Sequence, residues 1–210
     1  MPAVVKLGGS TAYHAEMRDW VSALAAAEFP IIIVPGGGPF ADQVREAQRR
    51  MRFSDEAAHF MAILAMDQMG LAIAEMDEGL VPARSLEEIE AAIKRRCVPV
   101  WLPSQICLAA DEIPKSWDMT SDSLAAWLAG KLGADALLLI KQTNAFDENS
   151  QFSNLVANGV IDPLLPDMLR PGTAFFLAGP AALASAGKHL AAGKIPGVRI
   201  GGEMLARGAA

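Results

Sequence analysis

Cysteine is nearly absent from this 210-residue chain: Cys97 and Cys107 are the two present, and they match no zinc or redox spacing. A disulfide scaffold is therefore excluded, and a reduced, cytoplasmic compartment is expected. Basic excess is missing too. Eighteen Lys and Arg against 24 Asp and Glu give a net charge of −6, which argues against broad nucleic-acid binding because that needs a basic face. A local cluster of lysines and backbone N–H groups can still hold a nucleotide on an acidic protein. No run of about 18 apolar residues is evident, so no membrane span is expected. The amino-terminal residues enter an apolar strand without a charged leader, so no secretory signal is expected. Aromatic residues make up 6% of the chain, which leaves the apolar bulk to Ala, Leu, Ile, Val and Met.

What is present is ample core material, 52% hydrophobic residues, at a length that suits one α/β domain. Short apolar runs read as buried parallel strands: Ala3–Leu7, Ile31–Val34, Val98–Leu102, Ala136–Ile140, Ala174–Ala178 and Val198–Ile200. Helical patterns alternate with them. They cover about Glu16–Ala27, a stretch opening at Pro39, Glu56–Met76 with Ser54 as N-cap, a capping box at Ser85-Leu86-Glu87-Glu88, a segment from Thr120 or Ser121 through Leu132, and Ala181–Ala192. The alternation predicts a mostly parallel open sheet covered by helices on both faces, with ligands at the carboxyl ends of the strands. The tail beyond Pro196 is expected to be partly loose.

Two of these strands run into glycine turns, Lys6-Leu7-Gly8-Gly9-Ser10 and Pro35-Gly36-Gly37-Gly38-Pro39. Glycine lets backbone N–H groups approach an anion closely, and a following helix N-terminus adds positive potential. Two such turns, one carrying a lysine, suggest more than one phosphate and hence phosphoryl transfer. Lys6 at a strand end can neutralise charge on a moving phosphoryl group; a solvent-facing edge lysine is the plainer reading, and its apolar neighbours favour the first. Gly36-Gly37-Gly38-Pro39-Phe40-Ala41 also fits a loose dinucleotide pattern, with Asp55 near the acidic spacing but on no convincing strand. Thr120, Ser121 and Asp122 open a helix, where the hydroxyls can hold a polar group and Asp122 can position a lysine, a metal ion or a substrate amine, or all three can do no more than serve the helix start. His59, sharing a helix face with Asp55, and Arg45, nearly two turns beyond the triple glycine, can reach an acceptor.

Taken together, these residues resemble the amino acid kinase family. Lys6-Leu7-Gly8-Gly9-Ser10 looks like its first phosphate loop, Pro35-Gly36-Gly37-Gly38 like its acceptor loop, and Gly133-Ala134-Asp135 with Leu137–Ile140 like the strand entering its nucleotide half. The Walker A pattern is absent, as in that family. The resemblance implies a three-layer αβα sandwich formed as one domain over 1–210, with an acceptor half of about 1–115 and a nucleotide half of about 116–210. Three segments, Phe40–Arg45, Ala58–Ile63 and Trp117–Ser123, are most similar to the branch that phosphorylates the phosphate ester of an aminomethyl-furanmethanol for methanofuran-type C1 carriers. Uridylate and isopentenyl phosphate kinases are the alternatives inside the family, and a non-catalytic nucleotide- or oxyanion-binding protein is the alternative outside catalysis. The implied cosubstrate is ATP with Mg2+. The implied partner is a small-molecule phosphate ester, with self-association into a dimer or higher homo-oligomer.

The resemblance implies roles residue by residue. Lys6 and Lys141 would flank the transferred phosphoryl, and Gly8, Gly9, Ser10, Lys141 and Asn144 would hold ATP. Gly36, Gly37, Gly38, Arg45, His59, Thr120 and Ser121 would hold the acceptor, and Asp122 would read its amine. No protein metal ligand is singled out; ATP oxygens can carry Mg2+ themselves. The segment Lys141-Gln142-Thr143-Asn144-Ala145 departs from the Asp-x-x-Gly stretch of many relatives, and Gly159-Val160-Ile161-Asp162-Pro163 lacks the second lysine of acetylglutamate kinases.

Overall fold

The computed structural model describes residues 2–201. Its elements run β1 (Ala3–Leu7), α1 (Glu16–Ala25), β2 (Ile31–Pro35), α2 (Gly38–Met51), α3 (Asp55–Ala74), β3 (Leu80–Ala83), α4 (Leu86–Lys94), β4 (Val98–Trp101) and α5 (Ser104–Cys107). There follow α6 (Ser121–Leu132), β5 (Ala136–Ile140), α7 (Phe152–Ala157), α8 (Leu165–Met168), β6 (Ala174–Ala178), α9 (Pro180–Ala191) and β7 (Val198–Ile200). The strands form one seven-stranded sheet in the order β3-β4-β2-β1-β5-β6-β7. Every pair is parallel except β6 with β7. The expected mostly parallel αβα architecture is thus the observed one.

Side-chain alternation along the strands divides the core in two. Val5, Leu7, Ile31, Ile33, Leu138 and Ile140 pack with α1 and α9 on one face. Val4, Ile32, Val34, Leu137 and Leu139 pack with α4, α6 and α8 on the other. Each such side chain, fully buried, contributes on the order of 1.5–3 kcal/mol relative to exposure. Caps set several helix starts: Ser54 accepts from Ala57 N–H and Ser85 from Glu88 N–H, each worth about 1 kcal/mol.

The structure adds one strand that the apolar runs do not announce. β3 is four residues long and contains Pro82, which lacks a ladder donor and is tolerated because the strand lies at the sheet edge. The strand expected at Val198–Ile200 is present, and most of the tail expected to be loose falls on residues that are not described. Val198–Ile200 pairs with β6, so the segment just beyond Pro196 is ordered strand, and residues 202–210 lie outside the described residues. Among the described residues α3 is long and apolar enough to cross a bilayer by length and hydropathy alone. Its Ala58, Ile63, Met66, Met69 and Ile73 are instead buried in the protein, while Asp67 accepts hydrogen bonds from Ser104 N–H (3.0 Å) and from its hydroxyl.

Topology fixes where a ligand can sit. From β1 the chain moves outward through β2, then returns to place β5 on β1's other side. The carboxyl ends of β1 and β5 therefore flank the point where strand order reverses, the usual ligand crevice of an open α/β sheet.

Candidate active site

The crevice is built around a buried charge cluster. Lys6 follows Val4 by two positions and so faces the α6 side of the sheet. Lys141 immediately follows β5, its N–H tied to Ala178 carbonyl oxygen at 2.8 Å. Asp122, in the first turn of α6, comes between them. Its carboxylate meets Lys6 Nζ at 2.9 Å and also accepts from Lys141 Nζ, with its side chain 3% exposed. Burial raises the pKa of this carboxyl, but the two ammonium charges and their hydrogen bonds outweigh burial and hold it below the usual carboxylate range. Burial, together with the Lys6 charge, pulls the Lys141 pKa down against the opposing pull of Asp122. Of the roles open to Asp122 from the sequence, the structure shows the positioning of lysines, and with both carboxylate oxygens so engaged the reading of a substrate amine is disfavoured.

Asp162 sets that geometry from the far side of the sequence. Its carboxylate accepts from Thr120 N–H (2.9 Å), the Thr120 hydroxyl (2.8 Å), Ser123 N–H (3.1 Å) and the Ser123 hydroxyl (3.1 Å). Burial and the Asp122 charge raise its pKa. Thr120 occupies the N-cap of α6 without capping through its own side chain. These donors at the helix start are thus taken by a carboxylate of the protein, not left for a substrate phosphate. The lone acid in Val160-Ile161-Asp162-Pro163 is the only sequence trace of this role.

The two glycine turns meet backbone to backbone. A β-carbon on Gly9 would lie 2.2 Å from Gly38 nitrogen, and one on Gly36 would lie 2.4 Å from Gly9 nitrogen. Gly38 itself adopts φ +54°, in the left-handed region. The first turn is tied down by Thr11, whose hydroxyl and N–H both donate to Gly8 carbonyl oxygen, at 2.5 and 3.1 Å.

Beside the turns lies a half-open cavity of about 250 Å³. Lys6, Gly9, Ser10 and the triple glycine Gly36, Gly37 and Gly38 form its floor, and Arg45, His59, Thr120 and Ser121 join its walls. Gly8, Asp122, Lys141 and Asn144 do not line it. Asn144 accepts from Ala181 N–H at 3.2 Å through Oδ1, so its side chain caps the start of α9. Arg45 donates to Asp42 at 2.9 Å, and its guanidinium lies 4.5 Å from the Trp117 ring centroid. Trp117, a wall residue not singled out from the sequence, is fixed by donating its indole N–H to Gln48 Oε1 at 2.8 Å. His59 does not pair with Asp55, which accepts from Gln48 instead at 2.7 Å; His59 Nδ1 lies 3.2 Å from Ser116 carbonyl oxygen.

The donor set also bears on a metal. Among the described residues no group of three or more His, Cys, Asp or Glu could hold an ion, and Asp122 is engaged by its lysines.

The sequence model of the amino acid kinase family matches residues 1–149. The chain belongs to the amino acid kinase family. Among curated proteins, [5-(aminomethyl)furan-3-yl]methyl phosphate kinase of Methanocaldococcus jannaschii is 35% identical over 132 residues, 61% of this chain. The matched segment spans 60% of that relative's length. Among solved structures, uridylate kinase from Archaeoglobus fulgidus superposes with a TM-score of 0.70 at 18% identity, over 96% of this chain and 100% of that one. UMP kinase from Bacillus anthracis gives 0.66 at 12% identity, over 96% of each chain. At these identities the structural likenesses show the amino acid kinase fold.

Proposed function

We propose that the protein is a phosphotransferase that moves the γ-phosphoryl of ATP onto a phosphate monoester, giving a diphosphate. The Lys6–Asp122–Lys141 cluster at the β1/β5 switch point carries this reading. Two lysines held on one buried carboxylate have fixed positions, so at a site of phosphoryl transfer they would need little reorganisation. In this account Lys6 and Lys141 neutralise the equatorial oxygens of the moving group. Backbone N–H groups of Gly8 and Gly9 steady the donor phosphates, and the Gly36–Gly38 turn with Arg45 steadies the acceptor phosphate. Mg2+ on the nucleotide would supply further charge neutralisation. An acceptor phosphate is nucleophilic at neutral pH, so no general base is required, and alignment with charge neutralisation suffices.

For the acceptor we favour a small one-ring ester, the aminomethyl-furanmethyl phosphate named for the M. jannaschii relative. A cavity of about 250 Å³ supports it, being smaller than the roughly 300–1,000 Å³ typical of sites for drug-sized ligands. Self-association is part of the proposal and is supported by the exposed stripe Met61, Leu64 and Leu71 on α3. Incubation with Mg-ATP and aminomethyl-furanmethyl phosphate, UMP or isopentenyl phosphate, read by mass spectrometry, tests the reading. A diphosphate from the furan ester is the expected product. ATP binding without any diphosphate would instead favour a nucleotide-binding role.

A further inference from the structure

Among the described residues lining the acceptor cavity, His59 carries a fully buried ring nitrogen with no hydrogen-bond partner. His59 is 4% exposed and lines the cavity from α3. Its Nδ1 lies 3.2 Å from Ser116 carbonyl oxygen. A carbonyl can only accept, so the ring proton resides on Nδ1. The neutral imidazole then carries its lone pair on Nε2, which is buried and has no partner among the described residues. The ring's neutrality has an independent cause: burial lowers the His59 pKa, the Lys115 charge adds to the effect, and the Ser116 contact opposes it only in part. A buried acceptor without a donor is costly, and such atoms in native proteins call for a partner. Of the residues lining the same cavity, Ala62, Ile63, Met66, Met119 and Leu124 bring apolar side chains, while Thr120 donates its hydroxyl to Asp162 and Trp117 its indole N–H to Gln48.

The cavity lining is chemically mixed. Lys6, Arg45 and the glycine turns suit a phosphate. The part walled by these apolar residues and His59 suits a compact apolar body. The geometry points to His59 as a specificity-determining residue whose Nε2 accepts a hydrogen bond from an N–H or O–H on the non-phosphate end of the acceptor. The acceptor class is then a small phosphate monoester that carries a donor away from its phosphate, such as an aminomethyl or hydroxymethyl group. With Asp122 held by two lysines, this histidine takes the recognition task that an acid would otherwise perform. The inference rests on the phosphate-monoester reading above.

Two probes test it: aminomethyl-furanmethyl phosphate and its analogue with methyl in place of aminomethyl. kcat/KM with Mg-ATP, and binding of each ester without ATP by calorimetry, are measured for wild type, His59→Asn and His59→Gln. Asn can still donate to Ser116 but lacks an atom at Nε2, whereas Gln can put an acceptor there. Thermal denaturation confirms that each variant is folded. Wild type should favour the amino ester by roughly tenfold or more, the fold-change of one hydrogen bond. His59→Asn should lose that preference and His59→Gln should keep part of it. Equal handling of both esters by wild type, or undiminished preference in His59→Asn, would overturn the inference and make Nε2 a site for bound water. If neither ester is phosphorylated but calorimetry shows the His59-dependent preference, the kinase reading falls and the His59 assignment stands. If neither ester binds, both fall.

Discussion

Replacing Asp122 by Asn removes one negative charge from between two buried ammonium groups while keeping shape and volume. In the native arrangement Lys6 Nζ lies 2.9 Å from one carboxylate oxygen, Lys141 Nζ bonds the other, and all three side chains are at most 15% exposed. Losing one partner of a buried ion pair costs about 3–5 kcal/mol, because the remaining charge stays desolvated. Against a total stability on the order of 5–15 kcal/mol this is a large fraction. At about 2–4 °C per kcal/mol for a chain of this size, the melting temperature should fall by about 6–20 °C. The Lys141 pKa, already lowered by burial and Lys6, should fall further without the Asp122 charge that raises it. Thermal and urea denaturation read the first effect, and the pH dependence of Lys141 amine labelling reads the second. A Lys6→Met, Asp122→Leu, Lys141→Met triple variant should recover much of the lost stability, since apolar groups of similar volume replace an ion pair well, yet it should be inactive. An Asp122→Asn protein that melts within about 2 °C of wild type would refute the reasoning.

Three further outcomes follow from the site. Gly9→Ala forces a β-carbon to within 2.2 Å of Gly38 nitrogen, so the two glycine turns must separate; both ATP and acceptor binding should weaken together in calorimetry, whereas a defect in ATP alone would contradict the shared contact. Arg45→Ala should raise the acceptor KM by about tenfold, the loss of one charge-assisted hydrogen bond, with little change in kcat, and a kcat-only effect in steady-state kinetics would place Arg45 elsewhere. His59 has a lowered pKa in the folded protein, so the unfolded chain binds more protons as pH drops below the ordinary value of about 6.5. Its contribution to stability is constant above that pH and declines below it until the folded ring also protonates; urea midpoints across pH 4–8 should therefore converge for wild type and His59→Asn on the acid side, and parallel curves would disprove it.

Much of the fold is legible in the sequence because parallel strands buried on both faces leave continuous apolar runs such as Ile31–Val34 and Leu137–Ile140. β3 is not, because it is four residues long and Pro82 interrupts its strand pattern. The glycine turns announce themselves, since their close packing admits no β-carbon. Asp122 can be read from the sequence as an acid at a helix start that is able to position a lysine, but which lysines it holds cannot. Its partnership with Lys6 and Lys141 depends on β5 being inserted beside β1, a long-range pairing with no local imprint. Asp162 is harder still, for it caps α6 from a segment that follows β5. The availability of His59 Nε2 is set by the carbonyl of Ser116, which residue identity does not encode.

The central claim is that phosphoryl transfer takes place beside the lysines held by Asp122. Its most direct measurement is a single-turnover reaction with ATP labelled in the γ-phosphate and aminomethyl-furanmethyl phosphate, using wild-type protein and folded Lys6→Met. The account predicts labelled diphosphate from wild type and a transfer rate about 10²–10³-fold lower in Lys6→Met, the usual cost of one preorganised charge donor. Equal rates in the two proteins, or no labelled diphosphate from wild type, would contradict it.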